Sequence, residues 1–197
     1  MTAERRKMSR SRILQGANDI LNAGVYGDLT VDALARALHM SKSTLYKYFA
    51  SKEDVIVALV DNVCVQTEKE LDAIELQIGP AKAALKKLVD VQASHADRLP
   101  RAVVLQHARL PDACQDRIEV TRARIGAAYR DVSTRGTASG EFRFGSAILA
   151  GNALLASADA AMVAAARGDV KGTRGDAVRS LLDLFLPGLQ GAELAAV

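Results

Sequence analysis

Residues 41–49 read SKSTLYKYF and hold half of the four tyrosines of a 197-residue chain that has no tryptophan. Whether those tyrosines pack inward or face outward decides how the N-terminal region is built. At about 100° per residue on a helical wheel, Phe49 lies only about 40° from Leu45, so these two define an inward face. Lys47 falls about 200° from Leu45, with Ser43 and Thr44 beside it. Tyr46 and Tyr48 take the two borders. The stretch therefore predicts a short helix over 42–49 with a small, hydrogen-bonding, cationic outer face framed by two phenols.

Upstream, Thr30 is placed to cap a helix whose Val31, Leu34, Ala35 and Leu38 share one face. His39-Met40-Ser41 then forms a short connection, and Ser41 caps the helix that follows. Two capped helices across so short a turn predict a helix-turn-helix. A first helix precedes them from Arg6 to about Asn22, its Ile13, Leu14, Ala17, Ile20 and Leu21 sharing an arc, and Gly24 and Gly27 end it. Ser51-Lys-Glu-Asp resembles a capping box and opens a fourth helix to about residue 76. Breaks at Gly79-Pro80, Pro100, Pro111, Gly136, Gly140, Gly168, Gly172 and Pro187 predict further helices over about 81–96, 100–109, 112–134, 146–167 and 173–186. The expected fold is all-α with about nine helices. Its expected division is a helix-turn-helix domain over 1–51 and a helical domain over 52–197.

Composition agrees: alanine and leucine dominate, and prolines and aromatics are few. Residues 1–52 carry nine Lys/Arg against four Asp/Glu, while the other 145 carry 17 against 19. A basic head on a slightly acidic body points to a polyanionic partner for the head. Short and cationic groups on a helix face reach base edges in a major groove, and flanking hydroxyls reach phosphates. Arg5, Arg6, Lys7, Arg10 and Arg12 fit either an arm near a minor groove or a solvated terminus. Lys52 fits either a phosphate contact or a solvated surface lysine. No apolar targeting core follows the basic start, so a cytoplasmic protein is expected. Segment 146–166 approaches membrane-spanning length, but ten of its residues are alanine, and Asn152 and Asp159 interrupt it. A buried helix is expected there.

Residues 10–60 resemble the DNA-binding domain of the TetR family of transcriptional regulators. Gly24, Gly27, Thr30, Ser41, Thr44, Leu45, Tyr46, Phe49, Ser51, Lys52 and Glu53 carry the likeness, and His39 stands where the family usually has glycine. The resemblance implies a homodimer that binds a palindromic site in double-stranded DNA, acts as a repressor, and is released by a small apolar effector. It implies that Lys42, Ser43 and Thr44 lie nearest bases and that Thr30, Ser41, Tyr46, Tyr48 and Lys52 hold phosphates. Lys47 stays open between groove and backbone. It also implies that 1–51 is the DNA-binding domain and 52–197 the effector-binding and dimerisation domain, whose late helices dimerise, with Ala153, Ala160, Ala164, Val178, Leu181, Leu182 and Phe185 as candidates; ordinary intrachain core is the alternative for each. Cys64, His107, Asn152 and Met162 are candidate effector-lining groups. No cofactor or metal is expected.

Two other classes compete. A metal-dependent enzyme would need His95, His107, Asp112 and Cys114 to converge, but their spacing matches no standard zinc pattern. A helical protein-interaction module would use the basic head on an acidic protein instead of DNA. Sequence-selective, salt-dependent DNA binding separates that class from a regulator.

Overall fold

The structure is a computed structural model that describes the backbone of residues 3–189 and the side chains of residues 7–185. All regular structure among the described residues is helical. Helices α1 (Ala3–Ala23), α2 (Val31–Leu38), α3 (Lys42–Tyr46) and α4 (Lys52–Ala73) come first, with a 3-10 turn at Tyr26–Asp28. They are followed by α5 (Ala81–Arg98), α6 (Arg101–Leu105), a second 3-10 turn at His107–Arg109, and α7 (Asp112–Ala138). The described chain ends with α8 (Ala147–Arg167), α9 (Arg174–Arg179) and α10 (Leu181–Leu189). The expected last helix is thus two, separated at Ser180. The third is shorter than expected, with Lys47 at its C-cap, although the amides of Tyr48 and Phe49 still donate to the Leu45 carbonyl.

Packing divides the chain into two compact units, and the division is not a linear cut. The first holds the residues up to Cys64 together with Leu99–Ile118, and the second holds Val65–Arg98 and the chain from Glu119 onward. Hence α4 and α7 each supply residues to both.

The first unit is built around side chains that the apolar periodicity singles out. Ile13, Ala17 and Leu21 of α1 are fully buried, with Leu34 of α2, Leu45 of α3, and Ile56 and Val60 of α4. Each buried aliphatic side chain contributes about 1.5–3 kcal/mol. Gly16 allows α1 and α2 to close, because a Cβ there would lie 2.9 Å from a Leu38 methyl. Chain from beyond residue 98 completes this unit. The Arg101 amide donates to Asn22 Oδ1 (3.0 Å), the Tyr26 amide to Gln106 Oε1 (2.8 Å), and Arg117 Nε to Asp61 (2.9 Å).

In the second unit Leu85 and Leu88 of α5, Ile125, Tyr129 and Val132 of α7, Leu154 and Leu155 of α8 and Val178 of α9 form one core. Gly151 brings α8 onto α7, since a Cβ there would lie 2.7 Å from Arg130 Cα. Two polar pairs lie within this core: Thr67 Oγ1 bonds His95 Nδ1 (2.9 Å), and the Tyr129 hydroxyl donates to Gln92 Oε1 (2.5 Å). Burial drives the His95 pKa down to about 4, so the ring is neutral at neutral pH. The Glu141 carboxylate caps α5 by accepting from the Ala81 and Lys82 amides.

Helix α8 is long and apolar enough, by length and composition, to cross a membrane. It is not the buried helix that the sequence predicts. Its buried positions are Gly151, Leu154, Leu155, Ala158 and Ala166, while Ile148 is 61% and Leu149 69% exposed. Asp159 lies partly buried, which raises its pKa, and accepts from Arg122 Nε at 2.7 Å.

Candidate nucleic-acid interface

The turn between α2 and α3 closes because His39 adopts the left-handed conformation, φ 51° and ψ 42°. Its amide donates to the Ala35 and Arg36 carbonyls, and the Met40 amide also reaches Ala35. Two of the carbonyls left over at the end of α2 are thereby satisfied. Thr30 caps α2, its Oγ1 accepting from the Ala33 amide at 3.0 Å.

Ser41 does more than cap α3. Its Oγ accepts from the Thr44 amide (3.1 Å) and also lies 2.9 Å from Ser43 Oγ and 2.8 Å from Thr44 Oγ1. One hydroxyl thus ties together the polar side chains of the helix's first turn. Lys42 Nζ sits 2.5 Å from Asp32 Oδ1, and that hydrogen bond and charge raise the lysine's pKa.

Farther along, the wheel is realised. Leu45 and Phe49 are 5% and 7% exposed, so they pack inward. Tyr46 is 53% exposed, Tyr48 is half-buried, and Lys47 is exposed. Ser51 and Asp54 form a reciprocal cap at the start of α4: the Asp54 amide donates to Ser51 Oγ, and the Ser51 amide to the Asp54 carboxylate. Lys52 beside it is half-buried, 5.1 Å from the centre of the Tyr26 ring and 3.9 Å from the Glu53 carboxylate. Ser41, Lys42, Ser43 and Lys47 therefore lie exposed on α3 or at its ends, with Tyr46 beside them.

Some contacts were not legible in advance. Lys7, Arg10 and Arg12 ride on helix α1 and not on an extended arm, and the Arg10 guanidinium lies 4.9 Å from the Phe49 ring centre. The side chains of Arg5 and Arg6 lie outside the described residues. The Asp32–Lys42 pair was also missed, because only the turn geometry brings the first turn of α2 to the first residue of α3. An acid in the first turn of a helix reads from sequence as a dipole partner alone.

The candidate effector residues fall in different units. Cys64 is fully buried in the first, and so is Cys114, whose thiol burial pushes up to about 11. His107, also in the first unit, is half-buried, with Nε2 out of contact with any hydrogen-bond partner. Asn152 belongs to the second unit, is exposed and accepts from Arg130 (3.2 Å). Met162 packs half-buried against that unit's core. Of the residues imagined as a metal cluster, His107, Asp112 and Cys114 belong to the first unit and His95 to the second. Among the candidate interface residues Ala153 and Ala160 are exposed and Ala164 is half-buried. Leu181, Leu182 and Phe185 are half-buried against the core, and Val178 is 1% exposed within it.

A three-helix unit with a capped α2, a left-handed turn and a short α3 that turns polar side chains outward defines a helix-turn-helix protein. Residues 13–59 match the sequence profile described as bacterial regulatory proteins, tetR family. The regulator EthR of Mycolicibacterium smegmatis, named as helix-turn-helix type, is 29% identical over 80 residues, which are 40% of this chain and 37% of that protein. The match thus spans well under half the length of that curated relative. The crystal structure of the TetR-family regulator PfmR from Thermus thermophilus superposes with a TM-score of 0.71 at 27% identity, covering 91% of this chain and all of that one. The transcriptional regulator FadR of Bacillus subtilis, solved with stearoyl-CoA, superposes at 0.68 with 21% identity, over 91% of this chain and 98% of its own. Residues 13–59 thus carry a tetR-family DNA-binding module, and the chain as a whole shares the fold of TetR-family transcriptional regulators.

Proposed function

We propose that this protein is a ligand-responsive, cytoplasmic repressor that binds a palindromic DNA site as a homodimer. The observation that carries the reading is the division of residues 42–49, with Leu45 and Phe49 packed inward and Lys42, Ser43 and Lys47 turned out. Lys42, Ser43 and Thr44 read base edges, and Thr30, Ser41, Tyr46, Tyr48 and Lys52 hold phosphates; such contacts fix register without reading sequence. Lys47, at the C-cap of α3, holds phosphate. On this reading residues 1–51 are the DNA-binding part and the chain from 52 onward serves effector binding and dimerisation.

The exposed apolar residues of α8 and α10, Ile148, Leu149 and Leu184, support a dimer, because exposed apolar surface of this kind marks association sites. Two recognition helices on one dimer then reach half-sites about one helical turn apart, ~34–36 Å, or a multiple of it. The effector is small and apolar and is taken up in the second unit, where Met162 is the adaptable residue at the edge of the core. It opposes DNA binding by favouring a dimer whose recognition helices no longer match the groove, which requires tighter binding to that state than to the DNA-competent one.

Selection from a random duplex pool tests the reading directly. The expected product is a palindrome bound with strong salt dependence. Recovery of no palindrome rejects the regulator. Thermal-shift screening of apolar ligands, and separately of the amphipathic stearoyl-CoA, tests the effector; a stabilising ligand must also release the selected duplex.

A further inference from the structure

Between Thr30 and Lys52 the sequence holds a single acidic residue, Asp32, and it contacts a reading residue. Its carboxylate lies 2.5 Å from Lys42 Nζ, and both side chains are more than half exposed (61% and 59%). The two also border one open groove, together with Ala35, Arg36, His39 and Met40. An acid in the first turn of α2 complements that helix's dipole. That role needs no partner on α3, however, and an exposed ion pair adds little to stability. The contact bears instead on what Lys42 is free to do.

We propose that Asp32 is a selectivity-determining residue: it engages Lys42 and yields the lysine only to a site that offers base-edge acceptors. The proposal rests on the DNA-binding reading of α3. On arbitrary DNA a free lysine would neutralise a phosphate and release about one counterion. Held by Asp32, it gains little from exchanging a carboxylate for a phosphate, and the carboxylate set free would then face other phosphates. On the right sequence the exchange differs. Guanine O6 and N7 accept from the lysine, and the carboxylate can accept from a cytosine N4 amino group. Asp32 therefore penalises wrong sequences more than right ones. The neighbouring hydroxyls of Ser43 and Thr44 are similarly engaged, by Ser41, so the first turn of α3 is held in order before DNA arrives.

The test compares wild type, Asp32→Asn, Lys42→Met, the double variant and Asp32→Glu. The probes are the duplex recovered by selection and a shuffled duplex of the same composition, each between about 50 and 200 mM salt. Thermal unfolding confirms that every variant is folded. Asp32→Asn is expected to bind the shuffled duplex several-fold tighter at low salt. Its salt slope should steepen by about 0.9 for each recognition helix, as one added phosphate contact requires. Binding to the selected duplex should change less, so discrimination narrows. The gain should vanish in the Lys42→Met background, and Asp32→Glu should behave as wild type. Unchanged affinity and slope in Asp32→Asn overturn the proposal, as does a gain that persists without Lys42, which assigns it to bulk charge. If wild type binds neither duplex, the regulator reading itself fails, a result that no variant can mimic.

Discussion

His39 occupies a conformation that glycine enters freely and a side-chain-bearing residue enters at about 1 kcal/mol or more, because φ is 51° at the end of α2. Replacing it with glycine removes that strain but loosens the unfolded chain, so the net gain should be about 0.5–1 kcal/mol. A β-branched residue should do the opposite, and His39→Val is expected to lower the melting temperature while His39→Gly raises it. Calorimetry of the two variants decides this; equal midpoints would mean the turn relaxes around either residue. His95 makes a second prediction. Burial holds its pKa near 4 in the folded state, against 6.5 when free. Between those values the unfolded chain binds the proton and the folded one does not. The stability from burying the neutral ring is therefore complete above about pH 6.5 and is lost as pH falls toward 4, at up to about 1.4 kcal/mol per pH unit. Urea unfolding at pH 7.5, 6 and 5 should show this decline, and His95→Gln should flatten it. A wild-type profile as flat as the variant's would mean the ring protonates without unfolding.

At the scale of the element, the first turn of α3 ties structure to the proposed recognition through Ser41. Removing its hydroxyl deletes a cap worth about 1 kcal/mol, or about 2–4 °C of melting temperature in a chain of this size. It also frees Ser43 and Thr44 from a shared partner. Ser41→Ala is therefore expected to weaken DNA binding by more than its small loss of stability explains. Ser41→Asp separates the two roles, since it caps the helix well but sets a carboxylate where phosphate should sit; it should melt near wild type and bind DNA poorly. Full binding by Ser41→Asp would remove Ser41 from the DNA-contacting set. These elements were legible in the sequence because their signals are local: Thr30, Ser41 and Ser51 cap within three residues, and Leu45 and Phe49 lie one turn apart. What escaped depends on distant chain. Arg101 meets Asn22 and Gln106 meets Tyr26 across some eighty residues, and no periodicity announces either. Asp32 meets Lys42 only because a left-handed residue turns the chain between them. The break at Ser180 was hidden for another reason, because the apolar stripe of Val178, Leu181, Leu182 and Phe185 runs through it unchanged.

For the whole molecule, the question is what becomes of the apolar surface that its own fold leaves in water. Among the described residues helix α8 is the one long and apolar enough to cross a membrane, yet it buries only one face, through Gly151, Leu154, Leu155 and Ala158. The rest includes Ile148, Leu149, Ala153 and Ala160, and α10 adds Leu184, 72% exposed. Small residues among large ones let two such helices approach closely, and the palindromic DNA site proposed above would demand two copies related by a two-fold axis. On the proposed reading, a charge placed on this face should therefore act on DNA binding although it touches no residue of α2 or α3. Leu149→Glu is expected to shift sedimentation from dimer to monomer at micromolar protein, with the single chain still folded because Leu149 contributes little to its own core. Binding to the palindromic duplex should fall by ten-fold or more, while binding to an isolated half-site should change little, since each α3 is intact. A variant that remains dimeric with undiminished palindrome binding would move the interface off α8. Loss of half-site binding as well would mean the substitution had damaged the fold and not the assembly. The two duplexes together thus separate dimerisation from folding in a single titration series.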